Sequence, residues 1–170
     1  MVVVIFLDVY ANRINMNILK HPDTFLRLKS EEVNFQLTFE DKGLIEIMKK
    51  TMYENEGIGL AAIQIGYQKR MCVMDTTRSQ SNPIVIINPQ VVDFSEEHLE
   101  HTEGCLSAPG KNGYPRRNKW IKIKYICEHE KAVTKTFYDL AAQCIQHEID
   151  HMDGKLCIDY KPISKEGNMK

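Results

Sequence analysis

The stretch His147-Glu148-Ile149-Asp150-His151 carries two histidines four residues apart, with a glutamate directly after the first. On an α-helix, residues four apart share a face, so both imidazoles could bind one metal ion. Glu148 lies about 100° further round the helix, where its carboxylate could contact a metal-bound water rather than the metal itself. The pattern favours a helix that carries a hydrolytic metal site. The structural alternative is a buried helix with two histidines.

The sequence around this stretch predicts two helices and several short strands. Residues 39–53 place an apolar stripe on one face, with acidic residues early and lysines late, which is typical of an amphipathic helix. A second helix is predicted to run from Asp139, as its N-cap, through Met152, and to end at Asp153-Gly154. Strands are predicted at 71–74, at 84–87 with Asn88-Pro89 closing it, and at 119–125 and 133–138 as a hairpin. The expected fold class is α+β, with mostly antiparallel sheets packed around a C-terminal metal-binding helix.

Length and composition indicate one globular unit. The 170 residues are enough for a single catalytic domain, 1–170, with a sizeable core. Apolar residues make up 43% of the chain and the formal charge is −1, so no specific binding to nucleic acid is expected. The densest basic cluster, Lys111, Arg116, Arg117 and Lys119, is interpreted as a solvated loop flank, with a role near a ribosome as the alternative. The five cysteines have no repeating frame, which favours free thiols in a reducing compartment.

The two ends of the chain differ from its middle. Residues 1–15 contain an apolar run but no convincing signal or transit peptide, and no stretch is long enough to span a membrane. We interpret 1–15 as a dispensable extension, with Met16 as an alternative start, and expect removal to change stability by no more than about 1 kcal/mol. The alternative is that this run pairs as an extra strand. Residues 161–170 form a short polar tail.

Two histidines leave a catalytic metal site one protein ligand short, because such sites usually have three. Cys105, in Glu103-Gly104-Cys105-Leu106-Ser107, is the best third candidate. The preceding glycine frees the backbone to bend, and no apolar periodicity explains a cysteine there. A buried free cysteine is the commoner fate and remains the alternative.

The segment Gly57-Ile58-Gly59-Leu60-Ala61-Ala62-Ile63-Gln64 is rich in small residues, which predicts a loop where another group approaches the backbone closely. It lacks the Lys-Ser/Thr pair of a phosphate-binding loop. Gln64 would be a costly buried amide unless it is hydrogen-bonded. It is therefore interpreted either as an oxyanion donor or as an amide satisfied by the backbone.

Three segments together resemble the signature motifs of the peptide deformylases, in the same order: Gly57 to Gln64, Glu103 to Ser107, and Gln146 to His151. The resemblance covers about Asn17 to Tyr160 and implies a peptide-deformylase-like fold. It implies a metal-dependent hydrolase that removes the formyl group from the formyl-methionine of newly synthesised peptides. Ile63 departs from the residues common in the family, and the segment 109–115 looks shorter, so the family's substrate-mouth arginine is not assigned.

By this resemblance, Cys105, His147 and His151 bind one divalent metal ion, natively Fe2+, which Zn2+, Ni2+ or Co2+ can replace. Metal-bound water would attack the formyl carbonyl with Glu148 as general base. Gln64 and the backbone N–H of Leu106 would stabilise the oxyanion.

The resemblance also implies substrate contacts. A pocket for the methionine side chain would be lined by Ile58, Leu140, Cys144 and the apolar part of His147, although ordinary core packing also explains this stripe. The peptide backbone would bind near Ile58, Gly59 and Gly104 like an added strand. Glu103 is expected to pair with Arg116.

The partners implied are N-formyl-Met nascent peptides and a transiently bound ribosome, with no membrane and a monomeric state. The expected location is the cytoplasm of a bacterium or of a phage-infected cell, with an organelle as the alternative. One rival function is a zinc endopeptidase, whose third ligand would come from downstream residues such as Asp153, Asp159 or Glu166. The other is a non-catalytic metal-binding or ribosome-docking module.

Overall fold

The structure is a computed structural model that describes residues 17–77, 79 and 81–162. The predictions for residues 1–15, and most of the predicted polar tail, lie outside these residues. Within them, no helix is both long and apolar enough to cross a membrane. All five cysteines are free thiols.

Five strands form one antiparallel sheet in the order β1-β2-β3-β6-β7. Their bounds are β1 Gly59–Ala61, β2 Met71–Met74, β3 Ile84–Phe94, β6 Trp120–Ile126 and β7 Ala132–Tyr138. A second, two-stranded antiparallel sheet joins β4, His98–Glu100, to β5, Arg116–Asn118. The hairpin predicted near the end of the chain is confirmed, because β6 and β7 pair over their whole length.

Two α-helices pack against the larger sheet: α1, Phe39–Glu54, and α2, Asp139–Met152. Thr38 caps α1 in a reciprocal capping box with Asp41, which satisfies two backbone donors at the start of the helix. The predicted N-cap of α2 is wrong by one residue. Tyr138 occupies the cap, and Asp139 is the first helical residue. The predicted end is confirmed, since Asp153 is the C-cap and Gly154 has a φ of 74°.

The core is divided between the two faces of the sheet. Along β2, Met71 and Val73 belong to the cluster that includes the buried face of α1, whereas Cys72 and Met74 belong to the cluster that includes α2. Successive side chains of a strand point to opposite faces, so both faces of β2 are covered and its sequence is apolar throughout. The predicted α+β class, with mostly antiparallel strands and a C-terminal helix, is confirmed.

Strand β3 is longer than the sequence predicts. Asn88 and Pro89 do not close it, because the register shifts between Ile87 and Gln90 and pairing with β6 then resumes. Asn88 adopts a φ of 50°, and its side chain bonds both the N–H and the carbonyl of Val33. A bulge of this kind lets a strand accommodate proline, which cannot donate a ladder hydrogen bond.

Candidate active site

The three predicted metal ligands meet in one cluster. His147 and His151 lie one turn apart on α2, with their Nε2 atoms 3.2 Å apart. Cys105, from the segment between β4 and β5, places its Sγ 3.2 Å from the Nε2 of His151. The three ligand atoms all lie within 4.8 Å of one another. No comparable three-residue cluster is found elsewhere in the part of the chain that the structure describes.

The donor set fits a tetrahedral divalent ion. Metal–nitrogen bonds of about 2.0–2.1 Å and a metal–sulfur bond of about 2.3 Å require ligand atoms roughly 3.3–3.6 Å apart. Two of the three separations, at 3.2 Å each, are close to that requirement. Burial lowers the pKa of His151 well below its usual value, so this ring is neutral and keeps a lone pair for coordination. One cysteine and two histidines could therefore hold a metal ion here.

His147 is oriented by Glu103. The Nδ1 of His147 lies 2.9 Å from the Oε2 of Glu103, so this nitrogen carries the proton and Nε2 faces the cluster. Burial disfavours the charged ring, but the hydrogen bond to Glu103 and the nearby charges of Glu148 and Glu103 together outweigh it and raise the pKa of His147. A carboxylate behind a ligating histidine fixes both its tautomer and its ring orientation.

Arg117 in turn holds Glu103. Its Nε and Nη2 donate to the two carboxylate oxygens at 2.9 Å each, and both residues are buried. The predicted pairing with Arg116 is wrong, since that side chain is exposed and its nearest partner is Glu100 at 4.0 Å. The two arginines are neighbours on β5, where alternation turns one toward solvent and the next toward the core. The interpretation of the basic cluster as a solvated loop flank is therefore wrong for Arg117, which is buried.

The network extends to the next turn of α2. The Nη1 of Arg117 donates to Asp150 at 2.6 Å, and the hydroxyl of Tyr160 donates to the same carboxylate oxygen at 2.9 Å. Burial would raise the pKa of Glu103, but the hydrogen bonds from Arg117 and His147 lower it to about 2. Two carboxylates therefore share one buried guanidinium behind the histidine cluster.

Replacing Arg117 with methionine is expected to lower the free energy of unfolding by about 3–5 kcal/mol, because two buried carboxylates would lose their cation. The matched control is Arg116→Met on the same strand, which should change stability by no more than about 0.5 kcal/mol. Urea unfolding at pH 7 measures both. Equal losses in the two variants would contradict the assignment.

The difference in stability between Arg117→Met and the parent protein should shrink in acid. Because the folded-state pKa of Glu103 is about 2, below the roughly 4.3 of an unperturbed glutamate, its ion pair stabilises the fold fully above about pH 4.3. The stabilisation is lost as the pH falls from there toward 2. Arg117→Met and the parent protein should therefore differ less at pH 3 than at pH 7.

Glu148 is buried beside the cluster and against β1. A Cβ at Gly59 would collide with its carboxylate and would come within 2.9 Å of the Sγ of Cys144. The predicted close approach to the glycine-rich segment is therefore confirmed, although the segment forms β1 and a 3-10 helix rather than a loop. Burial raises the pKa of Glu148 to about 7. Its Oε2 has no hydrogen-bond partner among the described residues.

The side-chain amide of Gln64 is hydrogen-bonded and lies beside the cluster. Its Oε1 accepts from the backbone N–H of Ala61 at 2.8 Å, so the buried amide is satisfied on that side. Its Nε2 donates to Ser107 at 3.1 Å and lies 3.8 Å from the Sγ of Cys105. The amide nitrogen is thus held next to the cluster, where it could donate to a bound substrate.

A cavity of about 860 Å³ opens beside the cluster. Its lining contains all the predicted catalytic and substrate residues: Glu148, Gln64, Leu106, Ile58, Gly59, Gly104, Leu140 and Cys144. Ile58 and Leu140 are 38% and 49% exposed, as expected of side chains that line an open pocket rather than the core. Of the three ligands, Cys105 and His147 also line it, whereas His151 lies behind them.

Two further carboxylates near the end of α2 are engaged elsewhere. Asp153 binds Arg70 at 2.7 Å, and Asp159 forms a two-point ion pair with Arg27 at 2.5 and 2.8 Å. Neither side chain is available as a downstream third ligand. Glu166, the other downstream candidate, lies outside the described residues.

Sequence reasoning missed one neighbour of the cluster, Cys157. It begins the 3-10 helix Cys157–Asp159 and is buried. Its interaction with the Cys105 thiol, together with burial, raises the pKa of Cys105. A coordinated cation would reverse this effect, because a coordinating thiol is deprotonated. No spacing or periodicity links Cys105 to Cys157, so only the tertiary structure reveals the pair.

Comparison with known proteins places the chain among close relatives. A family model described as polypeptide deformylase matches residues 15–167. The peptide deformylase of Finegoldia magna is 42% identical over 137 residues, which cover 81% of this chain and 83% of the relative. Peptide deformylase 1 of Pseudomonas syringae is 39% identical over 158 residues, covering 91% of this chain and 92% of the relative.

Solved structures agree with this similarity. The crystal structure of peptide deformylase from Ehrlichia chaffeensis superposes with a TM-score of 0.81 at 35% identity, covering 88% of each chain. That of a probable peptide deformylase from Synechococcus phage S-SSM7 has a TM-score of 0.81 at 39% identity, covering 86% of this chain and all of the other. The family match includes both helices, both sheets and every residue of the cluster.

Proposed function

Since this chain belongs to the peptide deformylase family, and is thus an enzyme that removes N-terminal formyl groups, we propose that it acts on formyl-methionine through one divalent metal ion held by Cys105, His147 and His151. The observation that carries the proposal is the convergence of these three ligand atoms within 4.8 Å in an open pocket that also contains Glu148. The substrate class is the formylated nascent peptide.

The ligands suit this task because they come from two rigidly connected parts of the fold. Two are on one face of α2, and the third is fixed by the Glu103–Arg117 contact two residues before it. The bound ion would polarise the formyl carbonyl and lower the pKa of a water molecule. The thiolate would reduce the net charge of the site. The side chains and backbone of the protein would supply proton transfer, stabilisation of the oxyanion and binding of the peptide.

Glu148 would move the proton. It would accept one from the attacking water and deliver it to the leaving amine, so it must be ionised at the start of each turnover. A pKa of about 7, raised by burial, suits both halves of this task at neutral pH. The carboxylate is fixed between α2 and Gly59, which limits its orientations.

Gln64 and Leu106 would stabilise the negative charge that develops on the formyl oxygen. The amide nitrogen of Gln64 is fixed because its oxygen is bound to Ala61. Leu106 follows the ligand Cys105 directly and lines the same pocket, where its backbone N–H would be the second donor. Each such donor is worth about 3–4 kcal/mol in a site that excludes water.

The pocket would select methionine by apolar contact. Ile58, Leu140 and Cys144 would surround its side chain, and the backbone near Gly59 and Gly104 would bind the peptide as an added strand. β1 suits this role because it is an edge strand of the five-stranded sheet. We propose further that the enzyme is a monomeric single domain that meets its substrate at the ribosome in the cytoplasm.

The zinc endopeptidase is disfavoured by the ligand set. Asp153 and Asp159 are bound to Arg70 and Arg27, so neither is placed to complete the site downstream of His151. Cys105 completes it from upstream. The family membership also argues against a non-catalytic module.

Anaerobic purification, metal analysis and an assay on formyl-Met-Ala with the same sample test the proposal. We expect one divalent ion per chain, with iron predominating, and release of formate in proportion to metal content. Acetyl-Met-Ala is the matched control, and its amide should be cleaved far more slowly. Formate release without bound metal, or internal cleavage of a longer peptide, would contradict the proposal.

Aerobic lifetime should depend on the metal. The iron-loaded enzyme is expected to lose activity in air, whereas the nickel- or cobalt-loaded enzyme should keep it, because Fe2+ is readily oxidised beside a thiolate in an open site. Residual formate release is measured over several hours under air and under argon. Equal aerobic lifetimes of the iron and nickel forms would contradict this expectation.

A further inference from the structure

Lys20 is an exposed residue that makes one directed contact with the chain beside the cluster. Its Nζ donates to the backbone carbonyl of Leu106 at 2.6 Å, and no carboxylate pairs with it among the residues that the structure describes. Lys20 does not line the cavity of about 860 Å³. Its ammonium is therefore directed at the backbone that follows Cys105 rather than at a bound peptide.

The backbone on each side of Lys20 is fixed. The N–H of Leu19 donates to the carbonyl of Gln64 at 2.8 Å, and the N–H of His21 donates to the carbonyl of Ser107 at 2.7 Å. Gln64 and Ser107 are also joined directly, because the amide of Gln64 donates to the hydroxyl of Ser107 at 3.1 Å. The short segment that carries Lys20 therefore connects the two parts of the chain that supply the proposed oxyanion donors.

The carbonyl that Lys20 binds lies in the middle of a turn. The N–H of Ala108 donates to the carbonyl of Cys105 at 2.9 Å, so Leu106 and Ser107 are the two central residues of this turn. The peptide group between them makes no hydrogen bond inside such a turn, so outside partners set its orientation. Its oxygen is held by Lys20, and its N–H, which belongs to Ser107, lies 3.4 Å from the Sγ of Cys105. One peptide group therefore connects the ammonium to the sulfur of the proposed ligand.

The ammonium strengthens the hydrogen bond to the sulfur. A cation on the oxygen of a peptide group polarises that group and makes its N–H a better donor. Hydrogen bonds to a ligating sulfur tune the metal, because a thiolate that accepts one donates less charge to the ion and leaves it a stronger Lewis acid. The opposite orientation of this peptide group would aim the oxygen of Leu106 at the sulfur of Cys105, where two negative atoms repel each other.

We propose, on the basis of the ligand set and oxyanion donors of the proposed function, that Lys20 is a positioning residue for deformylation. It acts through the peptide group between Leu106 and Ser107. It keeps the N–H of this group on the sulfur of Cys105, and it fixes the turn that carries the oxyanion donor of Leu106. Because Lys20 does not line the cavity, its loss should lower kcat and leave KM close to the parent value. The metal should stay bound, since all three ligands remain.

The test compares the full-length parent protein with Lys20→Met, each loaded with Co2+, in formate release from formyl-Met-Ala and in near-ultraviolet and visible absorption. We expect kcat to fall about 5- to 10-fold, the scale of one lost hydrogen bond, while KM changes by less than about twofold. Cobalt content should match that of the parent. The charge-transfer absorption from the Cys105 sulfur to cobalt should move to longer wavelength, because a sulfur that loses a donor gives up charge more readily.

Two further variants separate positioning from a general effect of charge or packing. Lys20→Arg keeps a cationic donor and should recover most of the parent kcat together with the parent absorption. Lys29→Met is the matched control, because Lys29 is an exposed lysine of the same N-terminal segment. It should behave like the parent protein in kcat, KM and absorption.

Parent values of kcat and absorption in Lys20→Met would overturn the inference. A lower kcat with unchanged absorption, or one that Lys20→Arg does not restore, would also overturn it, because either result shows a role in packing alone. A raised KM with the parent kcat would assign Lys20 to substrate binding instead. Failure of the proposed function is seen separately: a cobalt-loaded parent protein without sulfur-to-metal absorption would remove Cys105 from the ligand set, and the inference with it, before any variant is compared.

Discussion

Replacing His151 with alanine is expected to abolish stoichiometric metal binding and to reduce formate release to the background rate. His151 is the most deeply buried of the three ligands, and its Nε2 lies 3.2 Å from both partner atoms, so it is central to the cluster. Two remaining ligands cannot provide the three protein contacts of a catalytic site. The same loss is expected for Cys105→Ala and for His147→Ala.

Metal content after exhaustive dialysis is the direct measurement, with formate release from formyl-Met-Ala beside it. His129→Ala is the matched control, since His129 is exposed in the β6–β7 turn and should leave metal content unchanged. Thermal unfolding distinguishes lost coordination from misfolding. Full metal retention in Cys105→Ala would remove the cysteine from the ligand set and reopen the question of the third ligand.

The parts of the site that sequence could predict are those fixed by local geometry. His147 and His151 lie on one helical face because their spacing matches the helical period, and the capping and glycine signals place the end of that helix correctly. Gly59 was predictable as a point of close approach because only glycine lacks a Cβ. The group that approaches it, Glu148, is 89 residues further along the chain, so no local pattern contains both.

The parts that sequence could not predict depend on the tertiary structure. β5 is only three residues long, Arg116–Asn118, and its sequence has no strand-forming character, so nothing in the pattern indicates which arginine faces inward. Asn88 and Pro89 have a strong turn signal, yet the side chain of Asn88 finds its partner at Val33 and the strand continues through a bulge. In both cases long-range contacts override the local preference.

The three ligands differ from the groups behind them in the signal that each leaves in the sequence. A ligand must present a particular atom, so its residue type and spacing carry a signal in the sequence. The groups behind the ligands only need to neutralise one another's charge, and many arrangements of acidic and basic residues would do so. These groups are Glu103, Arg117 and Asp150. Their pairing therefore becomes apparent only when the two sheets and α2 are assembled.

Replacing Glu148 with glutamine is expected to leave the metal bound while lowering turnover by about 10²–10⁴-fold, the usual loss when a general base is removed. The substitution keeps the size of a side chain wedged against Gly59 but cannot accept the proton. Glu148 lies outside the ligand cluster, so metal content should match that of the parent protein. Glu46→Gln, on the solvent-facing side of α1, is the matched control for a lost charge.

The pH profile provides a second and independent measurement of the same role. Burial raises the pKa of Glu148 to about 7, and a nearby cation would lower it, so the acidic limb of kcat/KM should lie at or below about pH 7. Because the ionised carboxylate is the active form, kcat/KM should rise with pH through that limb. Glutamine does not titrate, so the limb should disappear from the residual activity of Glu148→Gln. Near-normal turnover in that variant, or an unchanged acidic limb, would remove Glu148 from the mechanism and leave its buried carboxylate as a structural feature of the pocket.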